Sequence, residues 1–151
     1  MSDAQAVFQI ERIYVKDVSL EVPNAPQIYQ EQHAPQVEVQ INNQAQQFAD
    51  GLYEVTITVT VTAKSGERTV FLAEAAQAGI FAVRGVPKED LDPLLGIACP
   101  TILYPYARET VSDLVTRGGF PPVLLAPVSF EALYAQRVQQ LRGAPQPGTA
   151  N

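Results

Sequence analysis

The sequence predicts an α+β domain, with four strands followed by helices. Three observations predict it. Residues 53–62 alternate strictly between apolar and polar side chains. Beyond Lys88 the apolar spacing changes from strand-like to helical. Turn signals at Pro23-Asn24-Ala25-Pro26, Asp50-Gly51 and Lys64-Ser65-Gly66 divide the first half into strand-length pieces.

The first strand spans Phe8 to Val22. Its start is irregular; further on, Tyr14, Val18, Leu20 and Val22 fall on one side and Asp17, Ser19 and Glu21 on the other. The two prolines after it break the strand, because proline fixes its backbone and has no N–H for a ladder. Gln27 to Pro35 is expected as a crossover loop carrying the apolar pair Ile28 and Tyr29. A weaker second strand alternates Val37, Val39 and Ile41 against Glu38 and Gln40. The third is the clearest: Tyr53, Val55, Ile57, Val59 and Val61 face one way, Glu54 and four threonines the other. That pattern belongs to a half-buried strand of an antiparallel sheet. Val70 to Val83 forms the fourth strand, where Gly79 predicts a bulge or bend.

Lys88 to Ala98 can hold a short helix limited by Pro93. A longer helix runs from about Thr101 to Thr116, with Leu103, Tyr106, Ala107, Val111, Leu114 and Val115 at helical spacing. Pro105 must sit in its first turn or kink it. Gly118-Gly119 ends it. Ser129 caps a last helix, Val128 and Leu133 staple its start, and Phe130, Leu133, Tyr134, Val138 and Leu141 form its apolar stripe. Residues 1–142 are thus expected as one domain. Gly143 to Asn151, rich in Pro and Gly, is expected as a disordered tail.

Composition excludes several function classes. Hydrophobic residues are 46% of the 151, enough for a core, and charged residues only 17%, below the roughly 25% of an average domain. A chain so lightly charged buries much surface or keeps some for a partner. The net charge of −6 opposes nucleic acid and anionic lipid, and permits a basic protein partner. No signal peptide and no stretch of roughly 18 apolar residues is found, so no membrane insertion is expected. Cys99, the single cysteine, excludes an internal disulfide and fits a reducing compartment; the cytoplasm is the expected location.

Catalytic chemistry finds little support. His33 and Cys99 are too few for a metal site of the usual kind. Cys99 before Pro100 could be an activated thiol at a helix start, but a small buried hydrophobe is the simpler reading. Gly79, Gly85 and Gly96 are scattered and form no phosphate loop. No enzyme activity, cofactor or metal is predicted.

Two surface features remain. Asp17, Ser19 and Glu21 share a strand face, Asp17 to Glu21 spanning roughly 13 Å, and Leu72 and Glu74 share a face of the fourth strand. If these are one outer face, they make an acidic patch with one leucine, continued by Glu54 and the threonines. Such a patch suits a basic partner, or is an ordinary solvated face. The excess apolar surface, including Ile28 and Tyr29, implies oligomer contacts or a groove.

Several stretches, from about Phe8 to Leu141, are similar in order to the SecB family of protein-export chaperones. They include Ile13-Tyr14-Val15-Lys16-Asp17-Val18-Ser19 with Pro23-Asn24-Ala25-Pro26, and Tyr53-Glu54-Val55 leading to Val59-Thr60-Val61-Thr62-Ala63. Further on come Phe71-Leu72 with Glu74, Gln77-Ala78-Gly79-Ile80-Phe81, Cys99-Pro100 with Pro105-Tyr106-Ala107-Arg108-Glu109, and Leu125-Ala126-Pro127-Val128. The resemblance implies a four-stranded antiparallel sheet with helices packed on one face. It also implies a homotetramer, a dimer of dimers with helices between the sheets. Members hold unfolded precursor proteins in apolar grooves and pass them to SecA, the motor ATPase of the Sec translocon. The family's SecA-docking positions match Asp17, Glu21, Leu72 and Glu74 here. Tyr29, Phe130, Leu133 and Tyr134 are the candidates for groove lining, the helical ones being equally able to serve as core or tetramer contacts.

Three departures stand out: Ala73 replaces a cysteine of some members, His33 replaces a frequent tryptophan, and the tail lacks acidic residues. A rival is a related chaperone dedicated to one client, such as a toxin–antitoxin system. Retention of all four docking positions favours export. A second rival, a small oligomeric enzyme or ligand-binding domain, would need a convergent site that the sequence does not offer.

Overall fold

The computed structural model describes residues 5–143. The chain forms β1 (Val7–Glu21), β2 (Gln36–Ala49), β3 (Leu52–Ser65) and β4 (Arg68–Arg84), then α1 (Lys88–Pro93), a π-helical turn (Leu94–Ala98), α2 (Cys99–Arg117) and α3 (Phe130–Gly143). The strands make one four-stranded sheet in the order β1-β4-β3-β2, and every neighbouring pair is antiparallel. The α+β expectation holds. Residues 144–151 of the expected tail lie outside the described residues, and Gly143 closes α3.

Alternation on β3 carries the core. Val55, Ile57, Val59, Val61 and Ala63 are buried, and their rungs on β4 are Gly79, Gln77, Ala75, Ala73 and Phe71. Leu103, Ala107, Val111 and Val115, spaced as a helical stripe, close this inner face from α2. Each fully buried Val, Leu or Ile side chain contributes about 1.5–3 kcal/mol. The opposite, outer face of β3 bears Glu54, Thr56, Thr58, Thr60 and Thr62, all part-exposed.

Four details differ from the sequence reading. Gly79 lies in regular register, not at a bulge. A Cβ there would stand 2.9 Å from the Phe81 ring and 3.0 Å from Leu103, so the glycine admits the close approach of α2. Two bulges lie within β1, between Ile10 and Arg12 and between Val15 and Asp17, and further shifts fall near the hairpin ends, at Gln47/Ala49 of β2 and at Ala63/Lys64 of β3. The β1 bulges place Tyr14 on the outer face with Asp17, opposite Ala78, not on the side of Val18 and Leu20. The helices form a single continuous run from Lys88 to Arg117, in which Pro105 sits in the interior of α2, past its first turn. Finally, α2 supplies most of the helical cover of the sheet, while α3 packs against the π-helical turn and touches the α2 layer through Phe130 and Tyr104.

The π-helical turn has a local cause. Pro100 brings no N–H to the turn before it. The Gly96 carbonyl instead accepts a bond from Asn43 Nδ2 at 3.5 Å, joining the turn to β2.

Candidate functional site

Because β1 and β2 are opposite edges of the sheet, the chain between them must cross it. The cis bond Ala25–Pro26 and a single 3₁₀ turn at Gln27–Gln30 shape the crossing. Three polar ties fasten it to the β3–β4 hairpin. Asn24 Nδ2 donates to the Thr69 carbonyl at 2.9 Å, Ser65 Oγ donates to Glu31 Oε2 at 2.6 Å, and Arg68 Nη1 pairs with Glu31 Oε1 at 2.9 Å.

Under the crossing lies a cavity of about 780 Å³, walled by the crossover, β2 and the irregular segment from Gly118 to Ser129. Its lining is mainly apolar: Ile28, Tyr29, Val37, Val39, Phe71 and Phe120. Tyr29 belongs to this lining. Its ring stacks on Phe120 at 5.3 Å, and its hydroxyl donates to the Gly118 carbonyl at 2.7 Å. Gly119 takes φ +86°, a backbone region suited to glycine, and a Cβ there would stand 3.5 Å from that ring. Tyr104 anchors the other wall by donating to the Ala126 carbonyl. Tyr29 is 50% exposed and Val37 47%, so this apolar surface is open to a ligand. His33 stands on the same lining.

The other groove candidates lie elsewhere. Phe130 is 3% exposed and meets Tyr104 edge to face at 5.7 Å, a core contact. Leu133 and Tyr134 border a separate, smaller cavity beside Asn43 and Arg137. Tyr134 donates to Asp92 Oδ2 at 2.8 Å, and this bond raises its pKa. Sequence reasoning missed Phe120, Val123, Leu124 and Leu125. Their signal is an apolar run interrupted by Pro121-Pro122, too irregular for a helix and too apolar for an ordinary loop.

Asp17, Glu21, Leu72 and Glu74, by contrast, share one surface. Ladder partners project to the same face. Glu21 lies opposite Leu72, Ser19 opposite Glu74 and Asp17 opposite Ala76, on the outer face. On the other side of β4, Thr60 and Thr62 flank Glu74 and Leu72, and Thr60 Oγ1 donates to Glu74 Oε2 at 2.8 Å. The three carboxylates are exposed and Leu72 half-buried. Among the described residues none of these carboxylates is in an ion pair. A surface of unneutralised charge around one leucine can receive cations and one small apolar contact.

Next to it, Glu54 gathers a polar cluster. Lys16 Nζ reaches Glu54 Oε1 at 2.8 Å, Gln46 Nε2 at 3.3 Å, and the Tyr14 hydroxyl donates to Glu54 Oε2. The Lys16 and Tyr14 bonds hold the Glu54 carboxyl below its usual range. Desolvation, then the bond to Glu54, pushes Tyr14 up to about 12.

Catalytic groups do not converge on either region. Burial pushes Cys99 up to about 12, so its thiol stays neutral and unreactive near neutral pH. Among the described residues no three His, Cys, Asp or Glu side chains are grouped to hold a metal. No helix among them is long and apolar enough to cross a membrane.

A family model described as preprotein translocase subunit SecB matches residues 1–141. The chain belongs to the SecB family. Protein-export protein SecB of Chromobacterium violaceum is 64% identical over 139 residues, covering 91% of this chain and 93% of the relative. That of Dechloromonas aromatica is 59% identical over 141 residues and covers 93% of both chains. That of Neisseria meningitidis serogroup B is 60% identical over 136 residues, covering 89% and 92%. Among solved structures, the SecB-like chaperone Rv1957 of Mycobacterium tuberculosis, in complex with a peptide from the HigA1 antitoxin, superposes with TM-score 0.66. It is 22% identical and covers 81% of this chain and 91% of its own, a likeness of fold alone. This SecB-family chain is therefore a protein-export chaperone, and its family is a class of chaperones, not of enzymes.

Proposed function

We propose that this protein works in the cytoplasm as a tetrameric holdase that keeps precursors unfolded in the groove under the crossover and docks through its acidic face onto SecA. The observation that carries this reading is the separation of two surfaces on one sheet. The apolar cavity opens beneath the crossover, bordered by the inner-face residues Val37 and Val39, while Asp17, Glu21, Leu72 and Glu74 occupy the outer face. One molecule can then hold a client and a motor together.

Capture needs no nucleotide. An extended segment displaces water from Tyr29, Val37, Val39 and Phe120, and burial of apolar surface drives the exchange. Leu133 and Tyr134 serve as secondary contacts beside the smaller cavity, with Phe130 supporting from the core. Phe8, Ile10, Val15 and Val18 on the uncovered edge of the inner face are 40–49% exposed, which supports burial against further copies of the chain. Several grooves in one assembly add weak contacts through effective concentration.

The test is a titration of the purified chain with SecA and, separately, with an unfolded precursor. Glu74→Lys should weaken SecA binding at least roughly tenfold, because a like charge meets a basic partner, while client holding is unchanged. Added salt should weaken SecA binding more than client holding, since exposed charges are screened. Equal loss of both activities in Glu74→Lys would refute the division of labour. Failure of the wild-type chain to delay aggregation of a client would refute the holdase itself.

A further inference from the structure

β1 turns Tyr14 and Asp17 to the same outer face because a bulge stands between them. Its apolar residues come in pairs, Phe8 and Ile10, Ile13 and Val15, Val18 and Leu20. Unbroken alternation after Tyr14 would turn Lys16, Val18 and Leu20 outward and bury Asp17, Ser19 and Glu21 against the helix layer. Lys16 is the extra residue that prevents this, with Val15 opposite Gln77 and Asp17 opposite Ala76, adjacent rungs of β4.

Side chains hold this bulge from both faces of the sheet. Outside, Tyr14 and Lys16 both reach Glu54, which lies on β3. On the intervening β4, Tyr14 faces Ala78, Asp17 faces Ala76 and Glu54 faces Ile80. Inside, Gln77 is 3% exposed and the one buried polar side chain among the described residues. Its Nε2 donates to the Tyr14 carbonyl at 3.2 Å, and its Oε1 accepts from Thr110 of α2 at 2.9 Å. A buried amide in an apolar layer is costly unless both ends are satisfied, and here both are.

We propose that Gln77 and Tyr14 are positioning residues that lock the register of β1, so that Asp17 and Glu21 face outward beside Leu72 and Glu74. This rests on the SecA-docking reading and assigns the residues that aim its charges without touching the partner. Gln77 is too buried to reach one. Through Thr110 the lock also ties the docking edge to the helix layer.

The experiment compares Gln77→Leu, acting from inside, with Tyr14→Phe, acting from outside, in the full chain. Amide exchange at Asp17 to Glu21, SecA affinity and client holding are measured together. Both variants should speed exchange at those amides and weaken SecA binding about three- to tenfold, the size expected for one net hydrogen bond, with client holding unchanged. Gln77→Leu leaves no new orphan on α2, because the one Thr110 hydroxyl proton can turn wholly to the Tyr106 carbonyl, 3.0 Å away. Should that variant not fold, Thr110→Val takes its place, and Thr110→Ser should restore both exchange and docking.

Unchanged exchange in both variants would overturn the lock. So would faster exchange with undiminished SecA binding. If Glu74→Lys also left SecA binding intact, the docking reading itself would fail, whereas the exchange data would still judge the register.

Discussion

β1 and β3 cross the same sheet with nearly equal lengths, 15 and 14 residues, yet their alternation differs. β3 is central, hydrogen-bonded on both sides and pressed against α2 by its inner residues. A slip of one residue there would expose five apolar side chains and bury Glu54 with four threonines, so strict alternation is enforced. β1 is an edge strand, and its inner residues Phe8, Ile10, Val15 and Val18 are 40–49% exposed. An edge accepts bulges because only one neighbour must keep register. Burial therefore enforces register at the centre of the sheet, whereas the edge admits the bulge that places Asp17 on the same face as Tyr14.

The largest expected effect breaks the central side of this comparison. Ile57→Ala, at a position with no exposed surface, should lower stability by about 2–5 kcal/mol through lost transfer energy and the cavity left behind. Denaturant melts measure it, and client holding and SecA binding should fall together. Ile10→Ala at the part-exposed edge should cost well under half as much in the separated chain. Equal losses at both positions would show that the edge is packed as tightly as the centre.

A smaller and more selective effect is expected at Tyr29. Tyr29→Ala removes the stack on Phe120 and the bond to the Gly118 carbonyl. Client affinity should fall by roughly tenfold, the scale of an aromatic anchor, with little change in SecA binding. Tyr29→Phe keeps the stack and should lose much less. If Tyr29→Ala held clients as well as the parent, the groove would lie elsewhere, with the surface around Leu133 and Tyr134 the next to test.

The same comparison explains what was legible in the sequence. β3 could be read residue by residue because burial on one face leaves a two-residue signature. β1 could not be read by that rule, since each bulge reverses the parity of everything after it. The information was present in another form: the apolar pairs recur every five residues, two along the strand and three across each bulge. Asp17, Ser19 and Glu21 could be placed on one face because they follow the second bulge; Tyr14 precedes it and was misplaced. Gly79 signalled an irregularity but not its kind, because a close helix and a bulge both call for a residue without a side chain. The cavity under the crossover was least legible. Its residues come from the crossover, β2 and the segment after α2, far apart in sequence, whereas the stripe of α3 offered an obvious pattern whose aromatic anchor, Phe130, is spent on the core.

The smallest expected effect is the pH dependence of the edge clamp, and it has two limbs of known sign. Glu54 is held low by Lys16 and Tyr14. Its contribution is therefore present above its ordinary value of 4.5 and is lost as pH falls through the lower folded value. Tyr14 is raised from 10.0 to about 12. Its contribution is complete below 10.0 and is lost as pH climbs from there towards about 12. Cys99, raised from 9.0 to about 12 by burial, adds to the alkaline limb from the core. Stability should thus be level through neutral pH and decline at both ends. Tyr14→Phe should remove only the part of the alkaline decline that starts near 10, leaving the Cys99 part, and Cys99→Ala should do the reverse. Glu54→Gln should flatten the acid limb. Urea midpoints across pH for the parent and these variants separate the terms. An alkaline decline unaltered by Tyr14→Phe would show that the phenol–carboxylate bond does not tie β1 to β3.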